Sequence, residues 1–489
     1  MGQKGGAMQK RLRQPIALCL AGLLTVATSG ALPISCHQEK KIPINDALKQ
    51  SYLDLFDYAQ EPLYSAAEIS SIRDGLKEGR EMCVSGFKQK ASQYGKEIEQ
   101  AQKQLKDDAK QITASERRDL HCKIQNLRAL QSQAEILAKH AIPIAYENRK
   151  AKLDLIEQWP GKFKEISNQL ENGTYRNRRW GDVEDIGFRE IEKDQVEDIK
   201  TGQDAIREMK TSGLMPKEIE NPQVVDYVKR VARRVAEHSH LKVPLNVTVL
   251  DSKEINAFAL PGGFLFIERG LLEAVDDESE LAGVVGHEMS HVVARHGHRL
   301  MRKAQIANIF FQAAQVAAVL LTGGAAGIGT YYALQYGFYG LGFVLDLNLL
   351  GVSRDFELQA DQLGMQYTWN SGYDPTGFVR FFDKMATTKG YVEGASWFYD
   401  HPPFYERMVE AEREMTFLPK KAEVVVQTSE FDAMKKALVK VTAKAEEEEK
   451  NRPSLLAPEA GCPAPQKLEY EAGQPIETIC GQPGSRSTD

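Results

Sequence analysis

Apolar residues between 66 and 158 recur at steps of three and four. Ile69, Ile72, Leu76, Cys83, Phe87, Tyr94, Ile98, Ala101, Leu105 and Ile112 form one run; Leu120, Ile124, Leu127, Ala134, Leu137, Ala141 and Ile144 form the next. Near-heptad spacing with charges elsewhere predicts two long helices paired as a coiled-coil-like hairpin over 66–160, turning at 113–115 with Ser115 as N-cap. Pro143 is expected to kink or interrupt the second helix. The hairpin fits equally as a free-standing arm or as two helices packed on the rest of the chain. Residues 161–185, with Asn168, Asn172, Gly173 and Gly181, read as a linker. A compact unit is expected from 186 to 418. In it 186–209 and 222–238 read as amphipathic helices and 243–250 as a strand. Asn256-Ala257-Phe258-Ala259-Leu260 and Phe264-Leu265-Phe266-Ile267, split by Pro261-Gly262-Gly263, read as a hairpin or two neighbouring strands. The remainder, 419–489, reads as a short strand-like stretch at 424–426, a helix ending in the solvated acid run 446–449, and a tail.

The N-terminal 35 residues carry a different pattern. Lys4, Lys10, Arg11 and Arg13 precede an apolar run over 16–27, then Ser29, Gly30 and Ala31. That is the layout of a secretory signal cleaved after Ala31, or of a retained membrane anchor. Cys36 follows Leu32-Pro33-Ile34-Ser35, a lipidation signal with its leucine one place early and Pro33 intruding. The expected location is the bacterial periplasm, with the chain either soluble, anchored, or lipidated at Cys36. Export lets disulfides persist, and Cys462 and Cys480, in a Pro/Gly-rich stretch, are expected to form a local bridge. In the hairpin Cys83 and Cys122 would lie roughly 30 Å apart, against a disulfide limit of ~7 Å. The hairpin and a Cys83–Cys122 bridge therefore exclude each other, and the periodicity favours the hairpin. A net charge of −6 over 489 residues, with no basic stripe interleaved with aromatics, argues against nucleic acid as a partner.

The chemistry concentrates in His287-Glu288-Met289-Ser290-His291. Asp277 with Glu280 reads as a helix N-terminus, and Leu281, Val284, Val285, Val292 and Val293 give that helix an apolar face. Two histidines four apart share a face and can hold one Zn²⁺ through neutral imidazoles, with Glu288 beside them as general base. A catalytic zinc needs a third protein ligand. Ala294 and Gly297 break one known spacing for it, and His296 and His298 read as polar residues at the helix end. The better candidate is Glu357, with Asp361 four residues on and so on the same helical face. One of these carboxylates can ligate zinc while the other accepts a hydrogen bond from a ligand histidine.

Four motifs in this order carry a resemblance: Asn256 to Gly263, His287 to His291, Ser353-Arg354-x-x-Glu357-x-x-x-Asp361, and His401-Pro402 with Arg407. Over 186–418 the chain resembles the gluzincin peptidases that include the CAAX prenyl endopeptidases and the bacterial beta-barrel assembly-enhancing proteases. The resemblance implies an α+β fold: a mostly helical zincin-like domain with a small sheet. It implies one zinc held by His287, His291 and Glu357, Glu288 as base, and Asp361 supporting a ligand. It places His401 and Arg407 near the zinc, either stabilising the oxyanion or gating access. Asn256, Ala257, Phe258, Ala259 and Leu260 would line the cleft and pair with an extended substrate. The implied activity is zinc-dependent endoproteolysis of polypeptides, with unfolded or misassembled envelope proteins as substrates. The rival function is a coiled-coil scaffold or chaperone with a regulatory metal site, which would have no need of Glu288. The tetratricopeptide repeats that often accompany such proteases show no period here. The charge-free segment 304–345 reads as a helix-loop-helix, packed over the site or dipping into a bilayer surface.

Overall fold

A computed structural model describes residues 41–107, 112–176, 196–211, 215–297, 353–385 and 405–451, together with Cys462, Gln466 and Leu468. The signal or anchor segment, Cys36, residues 304–345 and His401 lie outside these residues. Among the described residues no helix is long and apolar enough to cross a membrane.

Two short helices, α1 (Ile44–Ala47) and α2 (Tyr52–Tyr58), lead into the long α3 (Ala66–Asp107). The hairpin partner begins with α4 (Ala114–Ile136), passes through a π-helical turn at Leu137–Ala141 and continues as α5 (Ile142–Glu171). The interruption falls just before Pro143, whose ring cannot accept the preceding helical register. The N-cap of α4 is Thr113 rather than Ser115. Its hydroxyl accepts from Glu116 N at 3.2 Å while Glu116 Oε2 accepts from Thr113 N at 2.7 Å, a reciprocal capping box. The linker expected from 161 is displaced, because α5 runs through Pro160 to Glu171. Its inner face explains this: Trp159 and Ile166 are buried, and Trp159 Nε1 donates to Phe56 O at 2.9 Å. Tertiary burial here outweighs the local cost of proline.

The hairpin is packed at its root and self-contained at its end. Leu153, Leu155, Ile156 and Trp159 join Tyr52, Leu55 and Phe56 in the main core. Further out, Cys83, Phe87 and Ala91 pack on Ala134, Leu137 and Ala138, and Ile98 and Ala101 on Ile124 and Leu127, as two separate clusters. The root is also fixed by a buried ion pair, Lys152 Nζ to Asp383 Oδ1 at 3.1 Å; Asp383 Oδ2 accepts from Tyr52 N at 3.0 Å.

The expected Cys462–Cys480 bridge is corrected by the structure. Cys462 bonds Cys122, 340 residues away in sequence, and Cys83 is also disulfide-bonded. The tail residues beside the bridge lie on α4. Gln466 N donates to Asn126 Oδ1 at 2.6 Å and Leu468 N to Gln133 Oε1 at 2.9 Å.

The second half is built around a three-stranded sheet. After α6 (Val196–Thr211) and α7 (Pro222–Glu237) come β1 (Asn246–Leu250), β2 (Ala257–Leu260) and β3 (Phe264–Glu268). Their order is β1-β3-β2, with β1 parallel and β2 antiparallel to β3, so β2 is an edge among the described residues. The β2–β3 turn uses Gly262 and Gly263 at φ +87° and +88°. A Cβ on Gly262 would also meet Ile199 Cα at 2.4 Å, so the turn demands glycine twice over. Then follow α8 (Arg269–Ala274), α9 (Glu278–Val293), α10 (Ser353–Asn370), α11 (Thr376–Lys384), α12 (Tyr405–Phe417) and α13 (Ser429–Asn451). Helix α13 seals the core with Phe431, Met434, Ala437 and Leu438. Residues 424–426 form no strand; Val425 makes one bridge to Tyr373. The architecture is α+β and mostly helical, as the sequence led us to expect.

Candidate metal centre

Helix α9 carries the two histidines through the middle of the core. Asp277 Oδ1 accepts from Glu280 N at 3.0 Å and Glu280 Oε2 from Asp276 N at 2.9 Å, which fixes where the helix starts. One turn separates His287 from His291, and their Nε2 atoms lie 3.1 Å apart.

Helix α10 crosses α9 at these residues because two glycines allow it. A Cβ on Gly364 would stand 2.7 Å from His287 N, and one on Gly286 2.7 Å from Gly364 O. Backbone therefore rests on backbone beside His287. Glu357 and Asp361 lie seven and three residues before Gly364 and share its face. The crossing delivers both carboxylates to the histidines. Glu357 Oε2 lies 3.5 Å from His287 Nε2, and Glu357 Oε1 3.4 Å from His291 Nε2. One donor atom from each of His287, His291 and Glu357 lies within 4.8 Å of the others. Two imidazole nitrogens and a carboxylate oxygen converging in a buried place fit a divalent metal such as zinc, with a coordination position left for a reactant.

Asp361 stands behind His287, its Oδ1 2.9 Å from His287 Nδ1. Helix α12 brings in Arg407, which is wholly buried. Its Nε and Nη2 both donate to Asp361 at 2.6 Å, and its Nη1 lies 3.2 Å from Glu357 Oε2. The charges set the proton affinities. Burial disfavours the His287 cation, yet the Asp361 and Glu357 carboxylates outweigh that and raise its pKa in the metal-free site. Burial likewise pushes the Asp361 carboxyl upward, and the Arg407 guanidinium overrides it to hold the pKa below the usual value. Glu288, one residue beyond His287, is buried and adds to the negative field around Arg407.

Strand β2 packs on α9. Asn256 is fully buried at its start, while Phe258 and Ala259 are half-buried. Of the residues singled out in sequence, the structure thus brings together His287, His291, Glu357, Asp361 and Arg407, with Glu288 on the same helix. Sequence reasoning missed His296. Read as a polar residue at the helix end, it is instead buried, and its Nδ1 lies 2.9 Å from His291 Nδ1.

Residues 220–415 match peptidase family M48. The match covers about two fifths of the chain. The chain is similar to the beta-barrel assembly-enhancing protease of Yersinia pestis, 30% identical over 203 residues, 40% of this chain and 39% of the relative. It is similar too to the protein of the same name in Escherichia coli K12, 28% identical over 196 residues, covering 39% and 37%. A third relative is the mitochondrial metalloendopeptidase OMA1 of Schizosaccharomyces pombe, 31% identical over 209 residues, covering 42% and 56%. The chain spans about two fifths of the length of the first two. The resemblance read from the four motifs holds at the level of family.

Proposed function

We propose that the chain is a zinc-dependent endopeptidase acting on extended polypeptides. One observation carries the reading: donor atoms of His287, His291 and Glu357 converge within 4.8 Å of one another, and the helix that supplies both histidines also presents Glu288. A purely structural metal site has no use for that extra buried carboxylate. When bound, zinc polarises the scissile carbonyl and makes water acidic near neutral pH. Glu288 takes the proton from the attacking water on a carboxylate oxygen and returns it to the leaving amine nitrogen. Arg407 and Asp361 hold Glu357 and His287 in place, so the donors need no reorganisation as charge develops. Strand β2, an edge among the described residues, would offer backbone N–H and C=O groups to an extended segment, which reads chain conformation more than sequence. His401 belongs to the same proposal as the residue that stabilises the oxyanion or gates the site.

Two of these relatives are named for beta-barrel assembly, and we place this chain in the bacterial periplasm, acting on unfolded or misassembled envelope proteins. The test is hydrolysis of casein by purified protein. Cleavage that a chelator abolishes and added zinc restores supports the reading; cleavage indifferent to chelator overturns it. Comparing proteins that accumulate in envelopes with wild type or Glu288→Gln tests the substrate class.

A further inference from the structure

His296 is a buried polar residue to which the peptidase reading gives no task. Its ring is 1% exposed and stacks on Phe356 with centroids 4.2 Å apart and planes within 8°. Its Nδ1 lies 2.9 Å from His291 Nδ1 and its Nε2 3.0 Å from Gln359 Oε1.

The backbone is bent to put it there. Helix α9 ends at Val293, and Arg295 takes a left-handed φ of 54°. That conformation ends a helix readily but is uncommon for a side chain larger than asparagine. Arg295 is secured by paired bonds to Asp198, Nε to Oδ2 at 2.6 Å and Nη2 to Oδ1 at 2.8 Å. The reversal swings the next residue, His296, back under the last turn of α9 and onto His291.

With both imidazoles neutral and the Gln359 amide oriented with Oε1 toward His296 Nε2, proton bookkeeping gives one consistent assignment. A neutral imidazole has one N–H and one bare nitrogen, and a carboxamide oxygen only accepts. Gln359 Oε1 therefore takes its bond from His296 Nε2–H. His296 Nδ1 is left bare, so the proton between the two Nδ1 atoms belongs to His291. His291 Nε2 is then bare, with its lone pair facing Glu357 Oε1 and His287 Nε2. That is the state a metal requires.

We propose that His296 is the positioning residue of the metal ligand His291: relayed from Gln359, it fixes the His291 tautomer and ring angle without adding charge. This rests on the metal-centre reading above. The two histidines are thus supported by unlike means, His287 by the carboxylate of Asp361 and His291 by a neutral imidazole. The difference has an electrostatic reason. Glu288, Glu357 and Asp361 already place three carboxylates around one guanidinium, and a fourth buried anion would cost more than a neutral acceptor.

Two substitutions in the full chain separate this role from packing. His296→Asn puts an amide oxygen near the place of Nδ1 and keeps an acceptor for His291. His296→Phe keeps the ring and its stack on Phe356 but removes the acceptor. Zinc affinity is read by competition with a chromophoric chelator, and the site geometry by the visible spectrum of the cobalt-loaded protein. The Phe variant should bind zinc ~10–100-fold more weakly, with an altered cobalt spectrum, while the Asn variant stays close to wild type. Equal affinity and spectrum for Phe and wild type overturn the proposal, because ring shape alone would then suffice, as does equal weakening by Asn and Phe, because a retained acceptor would then give no rescue. Failure of wild type to bind metal would overturn the metal-centre reading and this inference with it. Wild-type binding with an unchanged Phe variant overturns this inference alone.

Discussion

Gly364→Ala tests whether the glycine crossing of α9 and α10 builds the site. The new Cβ would stand 2.7 Å from His287 N and 2.9 Å from both His287 Cα and Gly286 C, all backbone atoms with no rotamer to yield. Ordinary contact begins at 3.4 Å, so the helices must separate by about 0.7 Å at the ligand residue. Overpacking of this kind costs about 1–3 kcal/mol, and alanine returns about 1 kcal/mol of helix propensity, leaving a stability loss of up to about 2 kcal/mol. The site should suffer more than the fold, because ligand constellations tolerate displacement of only about 0.5 Å. Zinc affinity should fall at least tenfold while the thermal transition moves modestly. Gly86→Ala on α3 is the control: a Cβ there meets nothing within 4 Å, so the same change should stabilise by roughly 0.5–1 kcal/mol and leave zinc binding alone. Wild-type zinc affinity in Gly364→Ala would refute the argument that close approach of the two helices sets the donor geometry.

Glu357→Ala should abolish tight zinc binding, whereas Asp361→Asn should weaken it ~10–100-fold with the site still formed; isothermal titration separates the two, and reversed effects would exchange their roles. Peptide mapping without reductant should recover Cys122 linked to Cys462, and a Cys462–Cys480 peptide would contradict the structure. In metal-free protein the lowered pKa of Asp361 means that its stabilising contribution is complete above pH ~4 and is lost as pH falls through the lower folded value. Arg407→Gln removes the cation that outweighs burial, so the acid-unfolding midpoint followed by circular dichroism should move to higher pH; an unmoved midpoint would deny Arg407 that role.

What the sequence made legible was local or periodic. The steps of four and three through Phe87, Ala91, Tyr94, Ile98, Ala101 and Leu105 are a packing seam written directly in the chain, and the seam is where the hairpin packs. The ligand helix was legible because His287 and His291 are one turn apart, and Glu357 with Asp361 for the same reason. The errors lie where a distant contact decides. Residues from 161 read as a linker on the strength of Asn168, Asn172, Gly173 and Gly181, yet α5 continues to Glu171 because Phe56 and its neighbours bury its inner face. The Cys122–Cys462 bridge joins residues 340 apart, and sequence proximity misled toward Cys480. His296 follows a helix end and shows no periodic signal; only the left-handed turn at Arg295 converts it from a surface residue to a partner of His291. The cap at Thr113 was legible and overlooked, since Glu116 stands three residues on, the spacing a capping box requires.

The central claim is that Glu288 works as a base beside a bound metal and is not a bystander in a structural site. The most direct measurement is zinc content and casein cleavage, in the same sample, for wild type and Glu288→Gln. The substitution keeps the size of the side chain and a hydrogen-bonding head while removing the base. The account predicts about one zinc per chain in both proteins, with cleavage by the variant reduced ~10²–10⁴-fold. Undiminished cleavage with zinc in place would contradict it.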